Sequence, residues 1–354
     1  MKWPFVFAMP LAVACVGTRP AESSGQPVEA VEPRGPDPAR HIDYPGAEWT
    51  PSTAGWNEQL LRDAHDFAIS IGSHAVVVVD CGRLVAAWGE VREEAIVQSI
   101  RKSVLSALIG IAVHEKQISL DSTLSELGID DVPPSLSARE KTATVRHLIQ
   151  GRSGISHPAA AAPSGEIPAR DAHAPGTFWF YNNWDFNAAG AIYEAAVGAS
   201  IYEMIERRLA VPLQMEQFTA ADGTYQLESV SRYPAYHFSM SALDLARFGL
   251  LYLGRGTWNG HQIVPRAWIE ESLQPYSDVV NPWTPRGTSS YGYMWYIDHA
   301  SGSFSARGGT SQRVAVFPEQ GLVIVHRDHP DRPVFDNAVD DLIRRILAAR
   351  VRSS

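Results

Sequence analysis

The stretch Gln98-Ser99-Ile100-Arg101-Lys102-Ser103, followed by the apolar run from Val104 to Val113, restricts the fold more than any other part of the chain. The run has no polar face, which predicts a helix enclosed on all sides. Its two charged residues, Arg101 and Lys102, fall in the first turn, where the helix dipole is already positive. Ser99 and Lys102 are three apart and share a helix face, with Cβ atoms roughly 5–6 Å apart. Of the 30 basic residues only four are lysine, Lys2, Lys102, Lys116 and Lys141. Where charge alone is needed this chain uses arginine, which does not deprotonate, whereas a desolvated lysine can act as a base. Ser99 is therefore a candidate nucleophile and Lys102 a candidate proton carrier. A Ser-x-x-Lys also arises by chance in chains of this length, so the motif does not decide by itself.

With 354 residues and 45% hydrophobic content, the chain can build the core such a helix requires. The formal charge of −9 and the lack of a basic run exclude nucleic acid and an anionic membrane surface as main partners. Twelve histidines include no His-Glu-x-x-His, and His326 with His329 reads as a solvated strand end, so no metal or other cofactor is expected. Met1-Lys2, an apolar run to Val13, and Leu11-Ala12-Val13-Ala14-Cys15 resemble a bacterial lipoprotein signal with its lipobox. Residues 1–14 then form a removable signal peptide. Cys15 would be lipidated and tie the protein to the cell-envelope membrane, facing the periplasm or exterior. Cys81 is left without a disulfide partner.

Residues 15–45 read as an extended tether, rich in Pro, Glu, Gly and Ser. The folded domain is expected over 46–350. A first helix is expected over 54–70 behind the caps Ser52 and Thr53, then a hairpin of Ala75–Val79 and Leu84–Trp88. Helical spacing recurs in Ala188–Val197, Ile201–Leu209 and Leu243–Leu253, so about 99–254 reads as an all-helical lobe. Strands return at Tyr291–Ile297, Ser303–Ala306, Arg313–Phe317 and Leu322–Arg327. A last helix carries Phe335, Val339, Leu342, Ile343, Ile346 and Leu347 on one stripe. The expected class is α/β of the α+β type: one antiparallel sheet, its strands from about 50–98 and 255–350, flanked by helices with the helical lobe inserted.

Two further stretches carry chemistry. In Pro175-Gly176-Thr177-Phe178-Trp179-Phe180-Tyr181-Asn182-Asn183-Trp184, Tyr181 can relay a proton and Asn183 can hold a carbonyl and an amine at once. In Ala306-Arg307-Gly308-Gly309-Thr310, the glycines admit close backbone approach and Arg307 supplies a fixed cation. Ser-x-x-Lys, Tyr-x-Asn and basic-x-Gly in this order resemble the three active-site motifs of serine β-lactamases and penicillin-binding proteins. The Tyr-x-Asn form is similar to the class C side and its DD-peptidase, carboxylesterase and 6-aminohexanoate-dimer hydrolase relatives. The resemblance runs from about residue 50 to the C-terminus, and it implies a β-lactamase/transpeptidase-like fold.

It also implies that Ser99 forms an acyl-enzyme, with Lys102 and Tyr181 sharing its deprotonation. Which of the two is the base stays open. Asn183 would orient Lys102 and the substrate amide, Arg307, Gly309 and Thr310 would bind substrate, and the oxyanion would sit between the N–H groups of Ser99 and Thr310. The chain departs from the family's usual Lys or His at Arg307, which keeps the charge but cannot shuttle a proton. Trp179, Trp184, Tyr291, Trp295 and Tyr296 could line an acyl pocket or simply be core. No Gly-x-Ser-x-Gly occurs, which argues against an α/β-hydrolase. The expected activity is a serine hydrolase acting on a small acyl ester, a D-amino-acid peptide or a β-lactam. The alternative is a catalytically silent penicillin-recognising binding or sensor protein. The oligomeric state is not legible.

Overall fold

The computed structural model describes residues 41–162, 167–279, 287–329 and 333–351. The expected signal peptide, Cys15 and the expected tether as far as residue 40 lie outside the described residues. In chain order, helix α1 (Glu58–Ser70) leads into the hairpin β1 (Ser73–Asp80) and β2 (Arg83–Gly89), then β3 (Ala95–Ile96) and α2 (Ile100–His114). The middle of the chain holds α3 (Val145–Ile149), α4 (Asn183–Val197), α5 (Ile201–Ile205), α6 (Val211–Leu213), β4 (Gly223–Gln226), β5 (Ala235–Met240) and α7 (Ala242–Leu253). The chain closes with β6 (Thr257–Trp258), β7 (His261–Gln262), α8 (Arg266–Ser272), β8 (Ser277–Asp278), β9 (Ser289–Tyr291), β10 (Tyr296–Asp298), β11 (Phe304–Gly308), β12 (Gln312–Phe317), β13 (Leu322–Asp328) and α9 (Asp336–Ala348).

The main sheet is antiparallel, in the order β2-β1-β13-β12-β11-β10-β9-β8. Its strands come from both ends of the chain, and β1 docks on β13 in the register Val77↔Val325. Side chains alternate across a strand, so Val76 and Val78 face one layer while Ala75, Val77 and Val79 face the other. The first layer is α1 and α9, sealed by Leu61, Ala64, Leu342 and Ile346. The second contains α2 and α7. Burial on both faces explains why β1 reads as an unbroken β-branched run, each fully buried valine contributing about 1.5–3 kcal/mol.

Four expectations are corrected. Helix α1 starts at Glu58, capped by Asn57, whose side chain accepts from the Leu60 N–H at 3.0 Å; Ser52 is held instead by its N–H on the Leu84 carbonyl at 2.9 Å. The inserted lobe is not all-helical, because β4 and β5 form a small sheet with β3. These strands are short, and β3 pairs with β5 across a long sequence distance, so they leave little local period. Tyr291–Ile297 is not one strand: β9 and β10 are joined by a tight turn at Gly292–Trp295, with Met294 at φ +63°. That turn is buried, which gives it a strand-like composition. Phe335 is 80% exposed and caps α9 rather than joining its apolar stripe.

Candidate active site

The segment carrying the candidate nucleophile Ser99 is held from three sides. Strand β3 pairs with β5 (Ala95↔Met240, Ile96↔Ser239), and the Val97 N–H continues the ladder to the Phe238 carbonyl at 3.0 Å. From β13, Arg327 donates to the carbonyls of Met240 at 2.7 Å and Ala95 at 2.8 Å, locking the small sheet to the large one. Gln98 takes the left-handed conformation, φ +51°, and turns the chain sharply into α2. Ser99 is the N-cap of that helix but makes no side-chain capping bond, so its hydroxyl is left for other partners. Every residue from Ile100 to Ala112 is buried, as the unbroken apolar run predicts. Ser103 Oγ donates to the Met294 carbonyl at 2.6 Å, clamping α2 to the β9–β10 turn.

Lys102 Nζ donates to Ser99 Oγ across 2.7 Å. The amine is 1% exposed and lies 4.8 Å from the Tyr181 ring centre and 5.2 Å from that of Phe186. No carboxylate pairs with it among the described residues. Burial, and after it the neighbouring Arg101, holds the amine well below the ordinary lysine range. The Tyr181 phenol is shifted the other way by burial, opposed by Ser99 and Arg101. The pair therefore combines a proton-poor amine with a proton-rich phenol beside one hydroxyl.

Tyr181 sits just before α4, whose N-cap Asn182 accepts from the Trp184 N–H at 2.9 Å and donates to the Ile155 carbonyl at 3.0 Å. The Trp184 indole N–H donates to the buried Asp131 at 2.6 Å. Asn183 begins the helix. Its amide nitrogen donates to the Ala161 carbonyl, and its Oδ1 is buried without a hydrogen-bond partner. In this structure it bonds the Ala161 loop rather than Lys102.

Strand β11 brings in the third motif. A Cβ at Gly308 would lie 2.9 Å from the Val97 carbonyl oxygen and 3.1 Å from the Gln98 Cβ, so only glycine lets this strand approach the turn before Ser99 so closely. Arg307 donates to Ser305 Oγ at 3.0 Å and lies 4.7 Å over the Tyr296 ring, with no carboxylate paired to it among the described residues. Tyr296 meets Tyr291 edge-on at 4.9 Å, and Tyr291 meets Tyr181 at 6.2 Å. This aromatic chain joins the second motif to the third. Gly309 and Thr310 are exposed at the strand end, and Thr310 is left-handed at φ +62°.

Of the five aromatics considered for a pocket, Trp184 and Trp295 are core, and Tyr291 is buried within the aromatic chain. Trp179 and Tyr296 are partly buried. His326 is 1% exposed, bonded to Ser73 Oγ and the Ser311 carbonyl, and so is not a solvated strand end. Among the described residues no His, Cys, Asp and Glu cluster could hold a metal ion. Sequence reasoning missed the burial of Arg101 and Asp185 and of the His237 ring nitrogens around the site. The only available signal was the second cation in the first turn of α2.

Three stretches far apart in sequence thus converge on the segment from Val97 to Lys102. The beta-lactamase family model matches residues 59–343. The chain belongs to the beta-lactamase family. An uncharacterized protein of Alkalihalophilus pseudofirmus is 23% identical over 257 residues, 65% of this chain and 71% of that protein. Two solved structures share the fold. A candidate 6-aminohexanoate-dimer hydrolase from Bacillus anthracis has a TM-score of 0.62 at 20% identity, covering 89% of this chain and 88% of that one. An octameric penicillin-binding protein homologue from Pyrococcus abyssi has a TM-score of 0.62 at 21% identity, covering 83% and 77%. The fold is therefore that of the β-lactamase and penicillin-binding protein group, which includes hydrolases.

Proposed function

We propose that this beta-lactamase family member is a serine hydrolase that cleaves an ester or amide through an acyl-enzyme on Ser99. The observation that carries the reading is the buried Lys102 amine, free of any carboxylate among the described residues, 2.7 Å from Ser99 Oγ. As Ser99 Oγ adds to the acyl carbon, its proton passes to Lys102. The carbonyl oxygen takes the negative charge between the N–H groups of Ser99 and Thr310. The C–O or C–N bond breaks, and the leaving alcohol or amine takes a proton through Tyr181. Water then adds to the acyl-enzyme, losing its proton to the same pair, and the acid leaves as Ser99 is restored. Arg307 offers its charge to a substrate carboxylate.

The test is intact-protein mass after brief incubation with a penicillin and, separately, a p-nitrophenyl ester, with Ser99→Ala in parallel. An adduct that forms on Ser99 and is released on standing supports the reading. A stable adduct without turnover on any acyl substrate points to the silent binder, and full hydrolysis by Ser99→Ala refutes the mechanism. The reading includes a location, the bacterial cell envelope through a lipid on Cys15. Unmodified Cys15 within an intact leader, seen by peptide mass spectrometry of protein made in a bacterium, would exclude it. Among the described residues no helix is long and apolar enough to cross a membrane.

A further inference from the structure

The first turn of α2 holds a second cation that the acyl-transfer steps leave unused. Arg101 is 2% exposed, and its guanidinium lies 4.4 Å over the Tyr236 ring. Nη2 donates to Asn187 Oδ1 at 3.3 Å, while Nη1 is buried with no acceptor. Among the described residues no carboxylate pairs with it. Other buried arginines of this protein have evident structural work. Arg247 ties the carbonyls of Leu213, Gly46 and Ala47, and Arg327 those of Met240, Ala95 and Ile96. Arg101 makes one long bond and covers one ring. A cation buried on those terms is expensive, and its position beside Lys102 at the positive end of the helix makes it more so.

The groups around Lys102 do not relieve that charge. Its own helix offers Ser99 and Arg101. The preceding loop and α4 offer Tyr181, Asn183, and Asp185, whose carboxyl is raised by burial and accepts from Ser153 Oγ at 2.6 Å. Glu194, further along α4, is bonded to the Ile201 N–H at 2.8 Å and to the Tyr225 hydroxyl. Strand β5 offers Tyr236 and His237, both of whose ring nitrogens are buried without a partner. Burial, then Arg101 and Lys102, push the His237 imidazole down to about 4, so it is uncharged at neutral pH. Strands β9 and β10 add Tyr291 and Tyr296, and β11 adds the cation Arg307.

We propose that Arg101 is a positioning residue for the reaction, a permanent charge without a carboxylate partner beside Lys102 that keeps the amine unprotonated and able to take the Ser99 proton. The inference rests on the Ser99–Lys102 reading given above. Arginine suits the role because it does not deprotonate; a lysine there would share the proton loss with its neighbour.

The test compares the full chain with Arg101→Met, Arg101→Lys and Asn187→Asp, the last setting a carboxylate where the guanidinium already bonds. Two readouts are used: the pH profile of Ser99 acylation by a p-nitrophenyl ester, and titration of the Lys102 side chain by NMR with ¹³Cε-lysine, assignable because the chain has four lysines. In Arg101→Met and Asn187→Asp, the Lys102 titration and the acidic limb of the rate should move together to higher pH by about one unit. That is about tenfold slower acylation at fixed pH on that limb. Arg101→Lys should restore only part of it, because the two amines share the proton loss. Lys102 titrating at its wild-type pH in folded Arg101→Met or Asn187→Asp overturns the inference. Failure of the acyl-enzyme reading would be seen separately, as full hydrolysis by Ser99→Ala, and leaves the NMR result to judge Arg101.

Discussion

Replacing Asp131 by asparagine probes the support behind the second motif. This carboxylate, 1% exposed, accepts from Trp184 Nε1 at 2.6 Å and Ser231 Oγ at 2.5 Å on one oxygen, and from the N–H groups of Arg232 and Val132, each at 2.7 Å, on the other. Three of these four are obligate donors; only the serine hydroxyl can turn to accept. An amide must therefore aim its NH₂ at the Trp184–Ser231 side, where the indole N–H loses its acceptor. The other two bonds lose their charge assistance. One buried donor left unsatisfied costs about 1–3 kcal/mol, and the weakened bonds add about 1 kcal/mol, for roughly 2–4 kcal/mol in all. Thermal melting of Asp131→Asn should fall by about 3–6 °C at pH 7. Ester hydrolysis should fall too, because Trp184 anchors the start of α4 beside Tyr181 and Asn183. Burial raises the Asp131 carboxyl, but these hydrogen bonds prevail and leave it below the usual carboxylate range. A depressed native value means the stabilisation is complete above the unfolded value, about 4, and is lost as pH falls through the native one. The gap between wild type and variant should accordingly narrow only below about pH 4. A gap under about 1 kcal/mol at pH 7 by urea unfolding would refute the donor-counting argument.

Asp185 has the opposite sign. Burial holds its native carboxyl well above the usual range, so its contribution is fully present below the unfolded value and is lost as pH rises. Asp185→Asn should raise the melting temperature at pH 7 and lose that advantage below about pH 4, read from melts across pH. Gly110→Ala in α2 should destabilise despite a helix-propensity gain of about 1 kcal/mol, because the new Cβ would lie 2.3 Å from the Trp268 ring; an overpacking cost near the upper end of about 1–3 kcal/mol leaves a net loss of about 1–2 kcal/mol in urea unfolding. Arg307→Met should lower kcat/KM for a carboxylate-bearing ester by about 10–100-fold while sparing a neutral one of equal size, since the charge has no internal carboxylate partner among the described residues. Equal losses on both esters would count against carboxylate recognition.

Much of the architecture was legible because its signals are local. The β1 and β13 runs, the stripe Val339-Leu342-Ile343-Ile346 of α9 and the largely apolar stretch of α2 after its first turn each carry a local signal. The elements that escaped are the short β3, β4 and β5 and the buried turn at Gly292–Trp295. β3 and the buried turn are held by distant partners, and β4 and β5 are too short to carry a period of their own.

The same division holds at the site. Sequence alone singled out the candidate site residues, because a lysine three residues after a serine, a Tyr-x-Asn and a basic-x-Gly are chemical choices visible in one dimension. It also determined that α2 would be enclosed. Only the tertiary structure decided their electrical state and mutual orientation. Burial and Arg101 depress the Lys102 amine, while burial raises the Tyr181 phenol. Asn183 holds the Ala161 carbonyl, and Tyr291 and Tyr296 join the second motif to the third. These depend on desolvation and on contacts across long stretches of chain, which no pattern of neighbouring residues encodes.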